Sequence, residues 1–213
     1  MLKTMRLTIA TIVLAIALFM PLFATRGWGP LDFWWWLSAN LVVLILIVAV
    51  FDPTWRRDCV QDLQERLLVK LALGFFSAFL LYWVFAVGNV VSRHLFSLAG
   101  SGINDVYAFK AGASGLRITL LMLLIIGPGE ELYWRGFLQR SLQKRFGGAT
   151  GFLFATGLYT FVHVSSGNIM LVLAAAVCGL FWGYLYLRFK SILLNVVSHT
   201  LWDVTVFLLL PFT

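Results

Sequence analysis

The chain has 213 residues, of which 61% are hydrophobic and only 12% are charged, and its mean hydropathy is +0.92. Soluble domains carry about 25% charged residues, so this chain cannot cover a water-facing surface and its solvent must be lipid. The net charge of +7 is spread between apolar runs without a basic stripe. This pattern argues against a nucleic-acid partner and favours contact with anionic membrane lipids.

Seven apolar segments follow one another and predict about seven membrane-spanning helices. They lie at about residues 7–23, 33–51, 67–91, 116–146, 151–164, 169–187 and 192–210. We expect an all-α polytopic bundle that forms a single membrane domain over residues 1–213, because helices satisfy their own backbone groups in lipid. The first segment follows Lys3 and Arg6 as in a signal peptide, but no convincing cleavage site comes after it, so we expect a retained span.

Three local features lie at the ends or in the interior of these segments. A tryptophan triplet at 34–36 opens the second segment, as aromatic residues do at a membrane interface. Residues 52–66 carry charges of both signs and predict a short surface helix, whereas residues 92–115 predict a longer connection with little periodicity. A Gly-Pro-Gly sequence at 127–129 predicts that the fourth helix is kinked or broken, because proline removes a helical hydrogen bond.

The distribution of basic residues predicts the orientation in the membrane. With the N-terminus in the cytoplasm and the C-terminus outside, most of the 16 Lys and Arg residues fall in inner loops. The outer loops then hold only Arg26, Arg93, Lys110 and Arg117. Because basic loops resist translocation, we expect the N-terminus inside.

Several ionisable residues lie inside the apolar segments, where each costs at least ~2.5–3.5 kcal/mol on insertion scales. They are Glu130, Glu131, Arg135, His163, His199 and Asp203. Two pairs, Glu131 with Arg135 and His199 with Asp203, are four residues apart and share a helix face. Glu130 is turned by about 100° from Glu131 on the same helix. Gathering the three helices would place Glu, His, His and Asp around one polar pocket.

Such a pocket has two chemical interpretations. A carboxylate and a histidine can together hold and deprotonate a water molecule, while a second histidine and an acid stabilise a developing oxyanion. The same groups could instead hold a divalent metal such as zinc. The candidate ligands are then Glu130, His163, His199 and Asp203, and the residues alone leave the metal requirement open.

Three motifs in this region resemble one known family. The run from Glu130 to Gly136 reads Glu-Glu-Leu-Tyr-Trp-Arg-Gly and resembles the EExxxR signature of the CPBP (CAAX protease and bacteriocin-processing, or Abi) intramembrane proteases. Tyr159-x-x-x-His163 is similar to the second motif, usually FxxxH, and His199-x-x-x-Asp203 to the last, usually HxxxN or HxxxD. The resemblance covers about residues 116–210 as a catalytic core, and residues 1–91 contribute nothing to it.

The resemblance implies a glutamate-dependent endopeptidase and a role for each matched residue. Glu130 would activate the water beside His163, and His199 and Asp203 would support the oxyanion. Glu131 and Arg135 would form a supporting pair. The expected partner is a protein or peptide substrate near the membrane that is lipidated (for example prenylated), membrane-anchored, tagged or leader-bearing. Two departures from the family are Tyr for Phe at 159, expected to serve packing, and Asp for the commoner Asn at 203.

Two rival functions come from other features of the chain. Gly112-Ala113-Ser114-Gly115 imitates the GxSG motif of rhomboid serine proteases, with Ser114 as nucleophile, but that reading leaves both glutamates without a purpose. Buried carboxylates and histidines also form proton relays in transporters, or sit in non-enzymatic scaffolds. No inverted repeat supports a transporter. HExxH is absent, which argues against a site-2-type zinc protease.

Overall fold

Each predicted apolar segment is helical in the computed structural model, which describes residues 2–212. The nine helices described there are α1 (Leu2–Thr25), α2 (Phe33–Phe51), α3 (Pro53–Gln64), α4 (Leu67–Leu95), α5 (Ala99–Tyr107), α6 (Gly115–Phe146), α7 (Gly148–His163), α8 (Ile169–Phe189) and α9 (Ile192–Leu209). Two short strands, β1 (Gly27–Trp28) and β2 (Leu31–Asp32), pair antiparallel in the loop between α1 and α2. The predicted all-α polytopic bundle is therefore confirmed.

The number of membrane spans is set by the length and hydropathy of the helices. Five helices of the described chain, α1, α2, α4, α8 and α9, are long and apolar enough to cross a membrane, and a bent pair brings the total to six. Helix α7 has 16 residues, fewer than the roughly 20 that a hydrocarbon core of ordinary thickness requires. Length and hydropathy therefore support five or six of the seven predicted spans.

Helix α6 is irregular around Pro128 but is not interrupted there. The chain stays helical through Gly127–Glu130, with π-helical turns at Met122–Ile126 and Glu131–Gln139. The Gly127 N–H reaches back to the Met122 carbonyl, five residues earlier. A widened turn accommodates a proline that lacks an N–H and crowds the preceding carbonyl. The expected irregularity thus takes the form of π turns, and the chain has no break at 127–129.

The sharp bend lies earlier in the chain. Residues Ala99–Lys110 and Gly115–Phe146 meet at an angle of 89°. The connection predicted for residues 92–115 is mostly helical, because α4 continues to Leu95 and α5 follows. Because this stretch has little apolar periodicity, the sequence did not predict helix α5, which lies across the ends of other helices.

Glycines set the distances between the helices that carry the motifs. A Cβ at Gly183 would lie 2.7 Å from the Phe152 ring of α7, and one at Gly179 would lie 3.1 Å from the Thr156 side chain. Glycines four residues apart at such contacts form a small-x-x-x-small interface, which lets two helices approach closely. On α6, Gly127 lies directly against Thr200 of α9. This close approach brings the glutamates of α6 next to His199.

Polar contacts gather at two ends of the bundle. At the end that we call the basic end, Arg140 pairs with Asp52 at 2.5 Å and with Asp58, and Asp62 pairs with Lys70 at 2.7 Å. Asp62 also accepts from the backbone N–H of Leu193 at 2.7 Å. The loop after α2, the helix α3, the end of α6 and the start of α9 therefore meet at this end.

The other polar contacts lie at the opposite end. Arg26 pairs with Asp105 at 2.6 Å, and the Asn168 side chain donates to the Gly102 carbonyl at 2.8 Å. Lys110 donates to the Phe207 carbonyl at 2.9 Å. The loop after α1, helix α5, the loop before α8 and the end of α9 therefore meet here, so successive long helices run in alternating directions.

Candidate active site

All six ionisable residues singled out in the apolar segments are buried. Glu130, His163, His199 and Asp203 line one cavity of about 450 Å³. The structure thus brings together side chains from α6, α7 and α9 that are up to 73 positions apart (130 to 203) in the sequence. Glu131 and Arg135 lie behind the cavity wall, at 0% and 2% exposure.

Glu131 is bonded on both carboxylate oxygens. Its Oε1 accepts from Arg135 at 2.7 Å and from His199 Nδ1 at 2.7 Å, and its Oε2 accepts from Asn195 at 3.0 Å. The i,i+4 contact between Glu131 and Arg135 is present, as the spacing predicted. A fully buried carboxylate with three donors has little free capacity for a substrate or water. Glu131 therefore anchors α9 to α6.

His199 links this anchor to the cavity. Because a carboxylate accepts, Nδ1 of His199 carries a proton, and Nε2 points the other way. Nε2 lies 3.4 Å from Asp203 Oδ2 and 3.9 Å from Glu130 Oε2. The imidazole stacks on Trp182 with 3.6 Å between ring centroids. Both the Nδ1 proton and the ring plane of His199 are thus held from behind the cavity.

Glu130 presents its carboxylate to the cavity with one oxygen held. The Tyr159 hydroxyl donates to Glu130 Oε2 at 2.9 Å, which is the one hydrogen bond that the carboxylate accepts within residues 2–212. Tyr159 itself is buried, with the Arg135 guanidinium 4.6 Å from its ring centroid. The expectation that Tyr159 serves packing missed this bond, although its hydroxyl, absent from the usual Phe, was a signal.

His163 lies on the same cavity but bonds elsewhere. Its Nδ1 lies 2.8 Å from the backbone carbonyl of Tyr159, which can only accept, so Nδ1 carries the proton. Its ring packs 4.3 Å from that of Phe23. Tyr159 therefore links His163 to Glu130, because its carbonyl bonds to His163 and its hydroxyl bonds to Glu130. Nε2 of His163 carries no proton and can accept a hydrogen bond.

The four candidate metal ligands do not form a close cluster. Across residues 2–212, no group of three or more His, Cys, Asp or Glu side chains is placed to hold a metal ion. Nδ1 of His199 bonds to Glu131 and Nδ1 of His163 bonds to a carbonyl, so in both histidines Nε2 is the nitrogen that faces other partners. No step below is routed through a metal.

Ser114 lies outside this cavity. Its hydroxyl accepts from the Arg117 N–H at 3.3 Å and caps the start of α6. Residues lining the cavity do not include Ser114. The structure therefore gives the Gly112–Gly115 motif a capping role.

Other residues complete the site without belonging to a motif. Asn195, one turn before His199, bonds both to Glu131 and to the Trp182 carbonyl at 2.8 Å. Trp182 supplies the stacking surface, and its indole N–H donates to Ser198 at 3.1 Å. The four-residue spacing of Asn195 and His199 places both on one face of α9, whereas nothing in the sequence pointed to Trp182.

The comparisons with known proteins agree with these motifs. A family model described as type II CAAX prenyl endopeptidase Rce1-like matches residues 112–205, just under half of the 213-residue chain. No curated protein and no solved structure matches the chain. The predicted resemblance to CAAX-processing membrane proteases is confirmed, and it supports a CAAX-type endopeptidase in general. Residues 112–205, which hold all three motifs, are therefore similar to the Rce1-like family of type II CAAX prenyl endopeptidases.

Proposed function

We propose that the chain is an intramembrane endopeptidase that hydrolyses a peptide bond with a water molecule activated by Glu130. The proposal rests on one observation: Glu130 and Asp203 line the same buried cavity as His199. Their carboxylate oxygens lie 3.9 Å and 3.4 Å from His199 Nε2. Of the two adjacent glutamates, Glu130 is the base because it faces the cavity with bonding capacity to spare. Glu131 is saturated by Arg135, His199 and Asn195.

The reaction uses these side chains in two steps. Glu130 takes a proton from the water while the oxygen of the water attacks the carbonyl carbon of the scissile bond. His199 acts as an imidazolium, with one proton on Nδ1 held by Glu131 and a second on Nε2 that is donated in a hydrogen bond to the oxyanion of the tetrahedral intermediate. The proton on Glu130 then passes to the leaving amine nitrogen as the C–N bond breaks. His163 Nε2 accepts a hydrogen bond from the water and orients it.

Asp203 serves His199 in this scheme. Its carboxylate lies 3.4 Å from His199 Nε2 and favours a proton on that nitrogen. The buried carboxylate of a catalytic triad acts in the same way on Nδ1 of its histidine. An ionised Asp203 would by itself repel an oxyanion, but in this scheme its negative charge is paired with the positive charge of the His199 imidazolium. Tyr159 acts as a positioning residue, since its hydroxyl fixes one oxygen of Glu130.

The cavity walls indicate the kind of substrate. Beyond the polar floor they are apolar, with Val84 and Phe85 from α4, Ile103 from α5, and Leu171 and Val177 from α8. A volume of about 450 Å³ lies within the usual range for ligand pockets, about 300–1,000 Å³. An apolar chain attached to the peptide, such as a prenyl group, fits such walls by burial of its surface. We infer a lipid-bearing or membrane-anchored peptide substrate.

Cleavage of a defined peptide tests this function. Purified protein in detergent should cleave a farnesylated peptide that carries a fluorophore and quencher on either side of the scissile bond. Glu130→Gln should remove the activity, whereas Ser114→Ala should retain it. Cleavage lost with Ser114→Ala and kept with Glu130→Gln would favour the rhomboid mechanism. Absence of cleavage by the wild type would favour a transporter or scaffold.

A further inference from the structure

The catalytic cavity extends toward one end of the bundle. From Glu130 its lining continues along α6 to Ile126 and Met122, toward the start of that helix. On α9 the lining runs from His199 to Phe207, toward the end of that helix. Both directions lead away from the basic end, where α6 ends and α9 begins. No residue of 52–66, 140–147 or 188–192 lines the cavity.

The cavity also has an apolar rim that faces outward from the protein. Val84 on α4 is 44% exposed, and Leu173 and Val177 on α8 are 41% and 38% exposed. Val84 lies just beyond the middle of α4 toward the opposite end, and the two α8 residues lie in the first half of α8, which begins at the same end. In a chain surrounded by lipid, exposed apolar residues at this depth contact acyl chains. The rim is therefore an opening toward one half of the bilayer.

Charge separates the two ends of the bundle. The basic residues in connections at the basic end are Arg56, Arg57, Arg66, Lys144, Arg145, Arg188 and Lys190. The opposite end holds four, Arg26, Arg93, Lys110 and Arg117, and two of these pair with Asp105 and Asp32. Since basic connections stay in the cytoplasm, this asymmetry places the opposite end outside. The cavity then opens to the outer half of the membrane.

We propose that the substrate reaches this site from the extracytoplasmic side, as a peptide held in the outer leaflet by an attached apolar chain or segment. The apolar part enters between α4 and α8, past Val84 and Val177, and the scissile bond descends to Glu130. This inference rests on the proposed function for the chemistry, but the side of access follows from the cavity and the charges. The matching substrate class is an exported, lipid-anchored peptide.

Labelling in whole cells tests the sidedness without any activity. Ser101→Cys lies exposed on α5 at the opposite end, and Thr150→Cys lies exposed at the start of α7 near the basic end. A membrane-impermeant maleimide should label Ser101→Cys and leave Thr150→Cys unlabelled until the cells are opened. The unsubstituted chain, with half-buried Cys59 and buried Cys178, is the labelling background. The reverse labelling pattern would overturn the proposal.

Cleavage in proteoliposomes tests the same idea for the reaction. A farnesylated peptide with a highly charged, impermeant tail is added outside only. Its cleavage should scale with the fraction of molecules whose Ser101→Cys reacts from outside. Scaling with the fraction that exposes Thr150→Cys would contradict access from the opposite end. If the wild type cleaves nothing even in detergent, the proposed function fails while the labelling result still decides the orientation.

Substitutions at the rim test the path between α4 and α8. Val84→Trp narrows the opening and should raise KM for the farnesylated peptide about tenfold with little change in kcat, since only binding is obstructed. Leu80→Trp is the matched control, because Leu80 is exposed on α4 one turn earlier and does not line the cavity. Equal effects of the two substitutions, or none from Val84→Trp, would rule out this entry path.

Discussion

The polar site has two halves that differ in how completely their groups are bonded. The closed half comprises Glu131, Arg135, Asn195 and Nδ1 of His199, and both oxygens of Glu131 have partners. The open half comprises Glu130, His163, Asp203 and Nε2 of His199, which face the cavity. The two glutamates are neighbours in sequence, yet a saturated carboxylate stabilises the bundle and an unsaturated one is available for chemistry.

This difference separates stability from activity in a testable way. A group in the closed half cannot be removed without leaving a buried charge unpaired, which is costly in a medium of low polarity. A group in the open half already faces a cavity, so an isosteric change there has little structural effect. His199 belongs to both halves and joins them.

The largest effect on activity is expected from Glu130→Gln. Loss of a general base typically lowers the rate by about 10²–10⁴-fold, while the amide keeps the shape of the side chain and can still bond to Tyr159. We expect kcat for the farnesylated peptide to fall by that amount with little change in the melting temperature in detergent. A variant that cleaves at the wild-type rate would remove Glu130 from the mechanism.

Arg135→Leu should affect stability most. It leaves Glu131 without its cationic partner at 2.7 Å, and breaking a buried pair typically costs about 3–5 kcal/mol. Thermal unfolding in detergent should therefore shift strongly downward, and activity should fall with it. A variant that melts like the wild type but is inactive would place Arg135 with the open half.

Tyr159→Phe sharpens the comparison because it restores the usual family residue and removes one hydroxyl. Hydrogen bonds to charged groups contribute about 1.5–3 kcal/mol, so kcat should fall about ten- to a hundredfold with KM nearly unchanged. Tyr133→Phe is the matched control, since the buried Tyr133 hydroxyl donates to the Thr11 carbonyl at 2.9 Å, away from the cavity. Equal kinetics for both variants would make Tyr159 a packing residue only.

Asp203→Asn should have a smaller effect. The amide loses the charge beside His199 but gains a donor that can bond to an oxyanion, and the family motif commonly has Asn here. Because one hydrogen bond is exchanged for another, we expect kcat/KM within about tenfold of the wild type. A complete loss of cleavage would show that the carboxylate itself takes part in proton transfer.

The smallest effect is expected from Ser114→Ala, because Ser114 lies outside both halves of the polar site. Removal of a helix cap costs about 0.5–2 kcal/mol, so the melting temperature should fall slightly and cleavage should persist. Cleavage abolished by this change, with the protein still folded, would refute the assignment of the chemistry to the open half.

The sequence by itself determined the class of the molecule and predicted which residues share the candidate site. Composition required a membrane bundle, because too few charges exist to cover a soluble surface. Six ionisable residues in apolar segments predicted a shared polar site, since each would be too costly alone in lipid. The spacing of Glu131 and Arg135 predicted their pairing, because residues four apart lie on one helix face.

Only the tertiary structure decided how the site is divided and where it opens. The rotation of α6 against α9, set by the contact of Gly127 with Thr200, determines which glutamate meets His199. The bond from Tyr159 to Glu130 depends in the same way on the packing of α7. No sequence motif predicts the positions of helix α5 and of the cavity rim, because both result from contacts between distant parts of the chain. Local spacing cannot encode such contacts, because they depend on how whole helices pack.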